Sequence, residues 1–454
     1  MPLFAVSVFS SLSTMSTGAI IALVFQYLWQ FIVESWWLWA FLALVPLAQS
    51  TFLYWRQMAY EGNLKWAFME LKIPREILKS PRSMDQVFNA IATLRNVAGD
   101  FGEKYMEGEI TKWYTFEMCT FSGEIHFYVR CVKTQRRLVE AAFFSFYPDV
   151  ELEEVPDYTH NLPHNMADVE AQDLDLWGTE MVLIRSFGYP IKSYTVFESP
   201  DEEHQFDPMS VFMENLAKAK KGEFAGIQYN LAPTSPRWGD HYEHLVEEIR
   251  EPKFSKNVGH QVPGGADLPP IFRAALVQRT PGVVDVLKAV EANLSKRAFK
   301  CTIRFIYISP KSIFYDSFAR RSIKGSFNQY GASDLNYFDD NRIMSTKINP
   351  GTWPFFFRLQ RLRARKQRVL QNYLHREHEI HTWMGKLLTS HILDFNFKSL
   401  QIILNTESMA GLFHPPSALV LTGPHTQRIE SKKMGAPAGL PIYGDEKALD
   451  QFKY

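Results

Sequence analysis

From Met1 to Trp55 apolar residues run almost without interruption, and Glu34 is the only formally charged side chain in that stretch. Beyond Arg56 the pattern changes to short segments whose apolar residues alternate or recur at three-and-four spacing, as half-buried strands and amphipathic helices require. The segment Trp36 to Trp55 matches the ~20 residues a helix needs to cross a hydrocarbon core. Trp36, Trp37 and Trp39 at one end and Tyr54, Trp55 and Arg56 at the other form the belts expected at a membrane interface. Gly18 to Val33 is shorter, and one unbroken helix through both runs would hold Glu34 in mid-membrane. A break is therefore expected near Glu34, leaving the first run either as a short second span or as an interfacial helix.

In the body, Lys65 to Ile73 alternates, and Ser80-Pro81 offers an N-cap and first-turn proline ahead of Met84, Val87, Phe88, Ile91 and Leu94. Two alternating runs, Trp113 to Phe121 and Glu124 to Val132, flank Ser122-Gly123 as a hairpin. Leu138, Val139, Ala142 and Phe143 mark another helix, and Val150 to Val155 a last strand. The predicted order is βαββαβ, the ferredoxin-like arrangement, over residues 64–157. The polar connector 158–175 is expected to divide this from a second, helix-enlarged α+β domain over 176–420. That domain reads as strands at 179–197, 224–231 and 300–309, helices at 208–220, 238–250, 281–297 and 318–329, and a basic helix from Trp353 to Trp383. A Pro/Gly-rich tail occupies 421–454, and the hydrophobic anchor occupies 1–57. The fold class predicted is α+β behind a transmembrane anchor.

Charge adds little globally, since 49 Lys plus Arg balance 49 Asp plus Glu. Any basic surface must be local. Six basic residues, Arg56, Lys65, Lys72, Arg75, Lys79 and Arg82, follow the main span and none precedes it, which predicts a cytoplasmic body. Cys119, Cys131 and Cys301 lack the count and spacing of a disulfide framework or zinc site. In the hairpin Cys119 is expected opposite His126 and Cys131 opposite Tyr114, too far apart in register for one bridge.

No phosphate-binding Gly-x-x-x-x-Gly-Lys-Ser/Thr loop occurs, and Gly385-Lys386-Leu387 lacks its glycine and hydroxyl. His375, His378 and His381 do not have zinc-protease spacing, Gly264-Gly265 sits in a Pro-rich loop, and Asp339-Asp340 and Glu151, Glu153 and Glu154 read as exposed acids. No catalytic, cofactor-binding or metal-ligating residue is assigned. Arg358, Arg361, Arg365 and Arg368 share one face of the basic helix. That face is open to three readings: a solvated surface, a dock for an acidic partner, or a contact for DNA phosphates or anionic headgroups.

Tyr54-Trp55-Arg56-Gln57, Lys72-Ile73-Pro74-Arg75-Glu76, Gly123-Glu124-Ile125-His126-Phe127-Tyr128, Leu176-Trp177-Gly178-Thr179-Glu180, Gly226-Ile227-Gln228-Tyr229 and Leu404-Asn405-Thr406-Glu407 with Leu412-Phe413-His414-Pro415 together carry a likeness that covers nearly the whole chain. The chain resembles an uncharacterised family of membrane-anchored proteins from ultra-small candidate-phylum bacteria. In that family this region precedes a hexameric translocase ATPase of the type IV secretion and conjugation class. The resemblance implies a non-enzymatic scaffold or adaptor at the bacterial inner membrane. Its partners would be the bilayer, a separate translocase ATPase, a second copy of the chain and, through the basic helix, DNA. Here the sequence stops at Tyr454, about where the motor would begin. The rival expectation is a membrane-bound enzyme whose site is assembled from residues distant in sequence.

Overall fold

The computed structural model describes residues 17–74, 79–198, 206–250, 281–348, 356–378, 382–390, 400–417 and 428–429. The Gly264-Gly265 loop, His381 and all of the Pro/Gly tail except Arg428 and Ile429 lie outside those residues. The chain divides into two compact units.

The first unit contains helices α1 (Thr17–Glu34) and α2 (Trp36–Asn63), residues 99–109 and the short helix Trp383–Leu388. Ser35 separates α1 from α2, so the break falls beside Glu34, whose carboxylate accepts a hydrogen bond from Gln30 Nε2 at 2.8 Å. Among the described residues α2 alone is long and apolar enough to cross a membrane. Pro46 lies inside it without ending it.

The second unit is mixed α+β. Strand β1 (Trp66–Pro74) leads to α3 (Pro81–Thr93), where Ser80 accepts the Arg82 amide as N-cap and Met84, Val87, Phe88 and Ile91 turn inward. β2 (Tyr114–Phe121) and β3 (Glu124–Val132) form the expected hairpin, with Cys119 opposite His126. Ser122 and Gly123 turn it with positive φ. α4 (Arg136–Phe146) and β4 (Glu151–Glu154) follow. Val139, Ala142 and Phe143 are buried as predicted, but Leu138 is exposed.

After α5 (Met166–Ala171) come β5 (Leu174–Leu183), α6 (Met209–Ala217), β6 (Phe224–Pro233), α7 (Glu243–Arg250), α8 (Pro281–Leu294) and β7 (Ala298–Pro310). A π-helical turn, Phe318–Ile323, runs into α9 (Lys324–Phe327), and then come β8 (Phe338–Asp340), α10 (Arg358–Leu374), β9 (Ile402–Asn405), α11 (Thr406–Leu412) and the two-residue β10 (Arg428–Ile429). Asp339 and Asp340, read as exposed acids, belong to β8 and are ion-paired to Lys324.

Among the described residues ten strands form one sheet of order β10-β1-β3-β2-β6-β7-β5-β8, with β4 added to β1 and β9 to β7. The connector 158–175 does not divide two sheets. β2 and β6 pair antiparallel from Tyr114 opposite Leu231 to Phe121 opposite Phe224, joining the expected domains into one. The polarity of the connector has a local origin: Asp157 caps the Thr159 amide and Asn165 caps the Asp168 amide.

Because side chains alternate along a strand, the sheet has two inner faces. One carries Met69, Phe116, Val129, Ile227, Phe305 and their neighbours, packed under α3, α4, α6 and α11. The other carries Phe68, Cys119, Tyr128, Phe224, Ile306 and Ile308 beneath α5 and α10.

Candidate functional site

The face under α10 holds the densest chemistry. Register places Glu70 opposite Tyr128, Tyr128 opposite Glu117, Glu117 opposite Gln228, Gln228 opposite Arg304 and Arg304 opposite Glu180. These residues form one transverse row across the strands. The adjoining row runs Cys119, Gly226, Ile306, Gly178. Its two glycines make the seat for α10. A Cβ on Gly226 would lie 1.9 Å from Tyr373 Oη, and one on Gly178 would lie 2.6 Å from Val369 Cγ1.

The C-terminus of α10 is where row and helix meet. The last carbonyls of a helix have no intrahelical donor and need partners from elsewhere. Gln228 Nε2 donates to the Tyr373 carbonyl at 3.0 Å, and Arg304 Nη1 donates to those of Asn372 and Glu377 at 2.6 and 2.8 Å. Asn230 Nδ2 donates to the Arg376 and Glu377 carbonyls at 3.1 Å each. The backbone closes with the Glu377 amide on Asn372 O and the Arg376 amide on Tyr373 O, the paired bonds of a Schellman cap. That motif puts Arg376 at φ 53°, a left-handed position where glycine is the usual residue.

The side chain explains the arginine. Arg376 Nε donates to Glu117 Oε1, and its Nη1 and Nη2 donate to Asp157 at 2.6 and 2.9 Å. Glu117 also accepts Tyr158 Oη at 2.6 Å, and Tyr158 meets Tyr373 Oη at 2.7 Å. Burial by itself would lower the Arg376 pKa, but Glu117 and Asp157 outweigh it and hold the guanidinium well above its ordinary value. Asp157, which burial would raise, is kept below the usual carboxylate value by the same guanidinium. Arg304 and Glu180 form a second buried pair at 3.1 Å. Cys119 lies against Tyr373 Oη at 3.6 Å, and burial pushes its thiol pKa up. All three cysteines are free and buried, and burial lifts Cys131 to about 12. Such thiols are poor nucleophiles.

The structure corrects the reading of the arginine face. Arg361, Arg365 and Arg368 are buried, while Arg358 is exposed, because the stripe lies on the inward side of α10. Arg365 Nη1 donates to the carbonyls of Arg342, Ser345 and Lys347. A phosphate or acidic partner approaching from solvent meets Arg358 and Arg363, the latter already 2.9 Å from Glu170.

In the first unit Trp36, Trp37, Trp39 and Trp55 are exposed along α2, and Arg56 donates to the Met106 carbonyl. His378 is bonded to Gln401 at 2.9 Å and stacks on Trp113, and no metal-binding cluster occurs among the described residues.

A second buried polar group joins Asp207, His414 and Ser417. His414 Nε2 lies 2.9 Å from Asp207 Oδ1 and its Nδ1 2.8 Å from Ala410 O, so both ring nitrogens face acceptors. Ser417 donates to Asp207 by amide and hydroxyl. The hydroxyl meets the acid rather than the imidazole, which is not the order of a nucleophile, base and acid triad. Burial would raise the Asp207 pKa, but His414 and the amides of Ser417 and Met209 hold it well below the usual carboxylate range. A pocket of about 230 Å³ lies elsewhere, between Thr93, Arg95, Thr234, Ser235 and Arg297.

Sequence reasoning missed Glu117, Asp157, Glu180, Arg304 and Arg376. A faint signal existed: charged residues at Glu117, Glu180 and Arg304 interrupt otherwise apolar strands. No protein-family model matches the chain, and no curated protein matches it.

Proposed function

We propose that this protein is a membrane-anchored, non-enzymatic scaffold that holds or gates a cytoplasmic translocase ATPase of the type IV secretion and conjugation class at the bacterial inner membrane. The observation that carries the reading is the use of the body's buried charge. Arg376 is paired with both Glu117 and Asp157 while Gln228, Asn230 and Arg304 tie the end of α10 to the sheet, an arrangement suited to rigid presentation of a surface. The strand orders β4-β1-β3-β2 and β8-β5-β7-β6 support a further reading, that each half is a ferredoxin-like unit and that the two meet about a pseudo-twofold axis between β2 and β6. Helix α2 supports the anchor, and the basic residues that follow Trp55 support a cytoplasmic body. The resemblance described above supports the choice of partner.

The test is affinity purification of the full chain from native membranes after in-cell crosslinking, paired with deletion of its gene. An ATPase should co-purify, and secretion or DNA transfer should fall. Purification without an ATPase, together with unchanged transfer on deletion, would overturn the proposal.

A further inference from the structure

Two stretches far apart in sequence converge on the C-terminal half of α2 within the first unit. Tyr105 Oη accepts from Gln49 Nε2 at 3.3 Å, and the Met384 amide donates to Ser50 Oγ at 3.1 Å. One turn and more further along, Arg56 donates to the Met106 carbonyl and Tyr60 Oη to Glu109 Oε1 at 3.2 Å. Gly108, at φ 74°, brings backbone against backbone, since a Cβ there would lie 2.5 Å from the carbonyl carbon of Arg56. Residues 99–109 and 382–388 thus form a collar on the helix.

The outer side of the collar carries exposed apolar side chains beside the exposed charges of Asp100, Lys104 and Glu107. Phe101 is 70% exposed, Met106 62%, Trp383 57% and Leu388 56%. Phe101 stacks on Tyr105 at 4.5 Å, and Lys104 Nζ lies 5.4 Å from the Tyr105 ring, a mixture of aromatic rings and a long amine typical of the membrane–water boundary. The acids nearby are occupied in part: Glu103 accepts the Gly99 amide and Asp100 the Glu103 amide.

Depth decides what covers this surface. A span of ~20 residues from Trp36 ends at Trp55. The collar grips α2 at Gln49 and Ser50, about 8 Å short of that end at 1.5 Å per residue. Apolar groups of an interfacial helix sink about 5–10 Å into the boundary between headgroups and acyl chains. We infer that Phe101, Tyr105, Met106, Trp383 and Leu388 form a lipid-immersed collar, seated in the interfacial layer of the bilayer that α2 crosses. This inference rests on the anchor reading of α2. The collar widens the anchor from one helix to a wedge and fixes how deep α2 can slide.

The test is nitroxide accessibility on the full chain in phosphatidylcholine nanodiscs. Phe101→Cys, Met106→Cys and Leu388→Cys are labelled singly, the native cysteines being buried. Leu44→Cys in α2 and Arg363→Cys in α10 serve as hydrocarbon and aqueous references. The collar labels should show a several-fold higher ratio of oxygen to water-soluble nickel-chelate accessibility than Arg363→Cys, and a lower one than Leu44→Cys. Collar labels as open to nickel as Arg363→Cys, with Leu44→Cys shielded, would overturn the collar and leave the anchor standing. Shielding of the collar labels from both reagents would assign the surface to a second protein copy and also overturn it. If Leu44→Cys were itself open to nickel, the anchor would fail first.

Discussion

The two faces of the sheet solve the same packing problem by different means. Under α3, α4, α6 and α11 the contacts are aromatic and aliphatic: Phe88 meets Phe116 edge-on at 5.1 Å, and Phe413 meets Phe116 at 5.2 Å. Under α10 the sheet presents Glu117, Gln228, Asn230 and Arg304, and helix and sheet are joined by hydrogen bonds, those of Arg376 and Arg304 charged and those of Gln228 and Asn230 neutral. An apolar face tolerates small shifts of the helices above it, because burial has no direction. A charged face is directional, and leaving one member unpaired is costly. The difference gives α10 directional ties to the sheet.

The largest expected effect comes from Arg376→Ala. It leaves Glu117 buried and uncompensated, and it should lower unfolding free energy by about 3–5 kcal/mol in denaturant titration. Arg376→Gly should be milder by about 1–2 kcal/mol, because glycine relieves the left-handed backbone. Equal losses would mean that position 376 is not strained.

Next comes the seat of α10. Gly226→Ala forces Tyr373 away and should cost about 1–3 kcal/mol, the usual range for overpacking. Hydrogen exchange should then quicken in α10 while amides of α3 and α4 hold their protection. Uniform quickening on both faces would erase the comparison.

The smallest effect at neutral pH belongs to titration. Asp157 and Asp207 have folded pKa values below their ordinary ones, so the stability they contribute is complete above the unfolded carboxylate value of about 4 and is lost as pH falls through the folded values. Asp207→Asn should flatten the acid limb of a stability-versus-pH curve. A curve of unchanged slope would show that Asp207 does not carry it.

The first half of the sheet was largely legible in the sequence. Met84, Val87, Phe88 and Ile91 mark a helix because they face an apolar layer, and Ser122-Gly123 marks a turn because that turn needs positive φ. The second half was less so. Trp238 to Arg250 reads as one helix but begins as a 3₁₀ turn, Trp238–Tyr242, whose indole Nε1 reaches across to Lys296 O. β8 is too short for periodicity, and it exists because Met181 and Val182 offer it an edge. Of the candidate site, the aromatic residues exposed along α2 were visible, whereas the charged row was not. Glu117, Arg304 and Glu180 become neighbours only through register between strands far apart in the chain, and the inward turn of Arg361, Arg365 and Arg368 depends on the sheet beneath them.

The seam between β2 and β6 also bears on aggregation. Along it, from Tyr114 to Phe121, each half hides the strand that would otherwise be its open edge. Separating the two halves would expose that run of unpaired amides and carbonyls, with Phe116 and Met118 on one side of it and Cys119 on the other, a template for adding strands from other molecules. Carrying both halves on one polypeptide keeps each edge beside its mate from synthesis onward, so that closure depends on tether length and not on protein concentration.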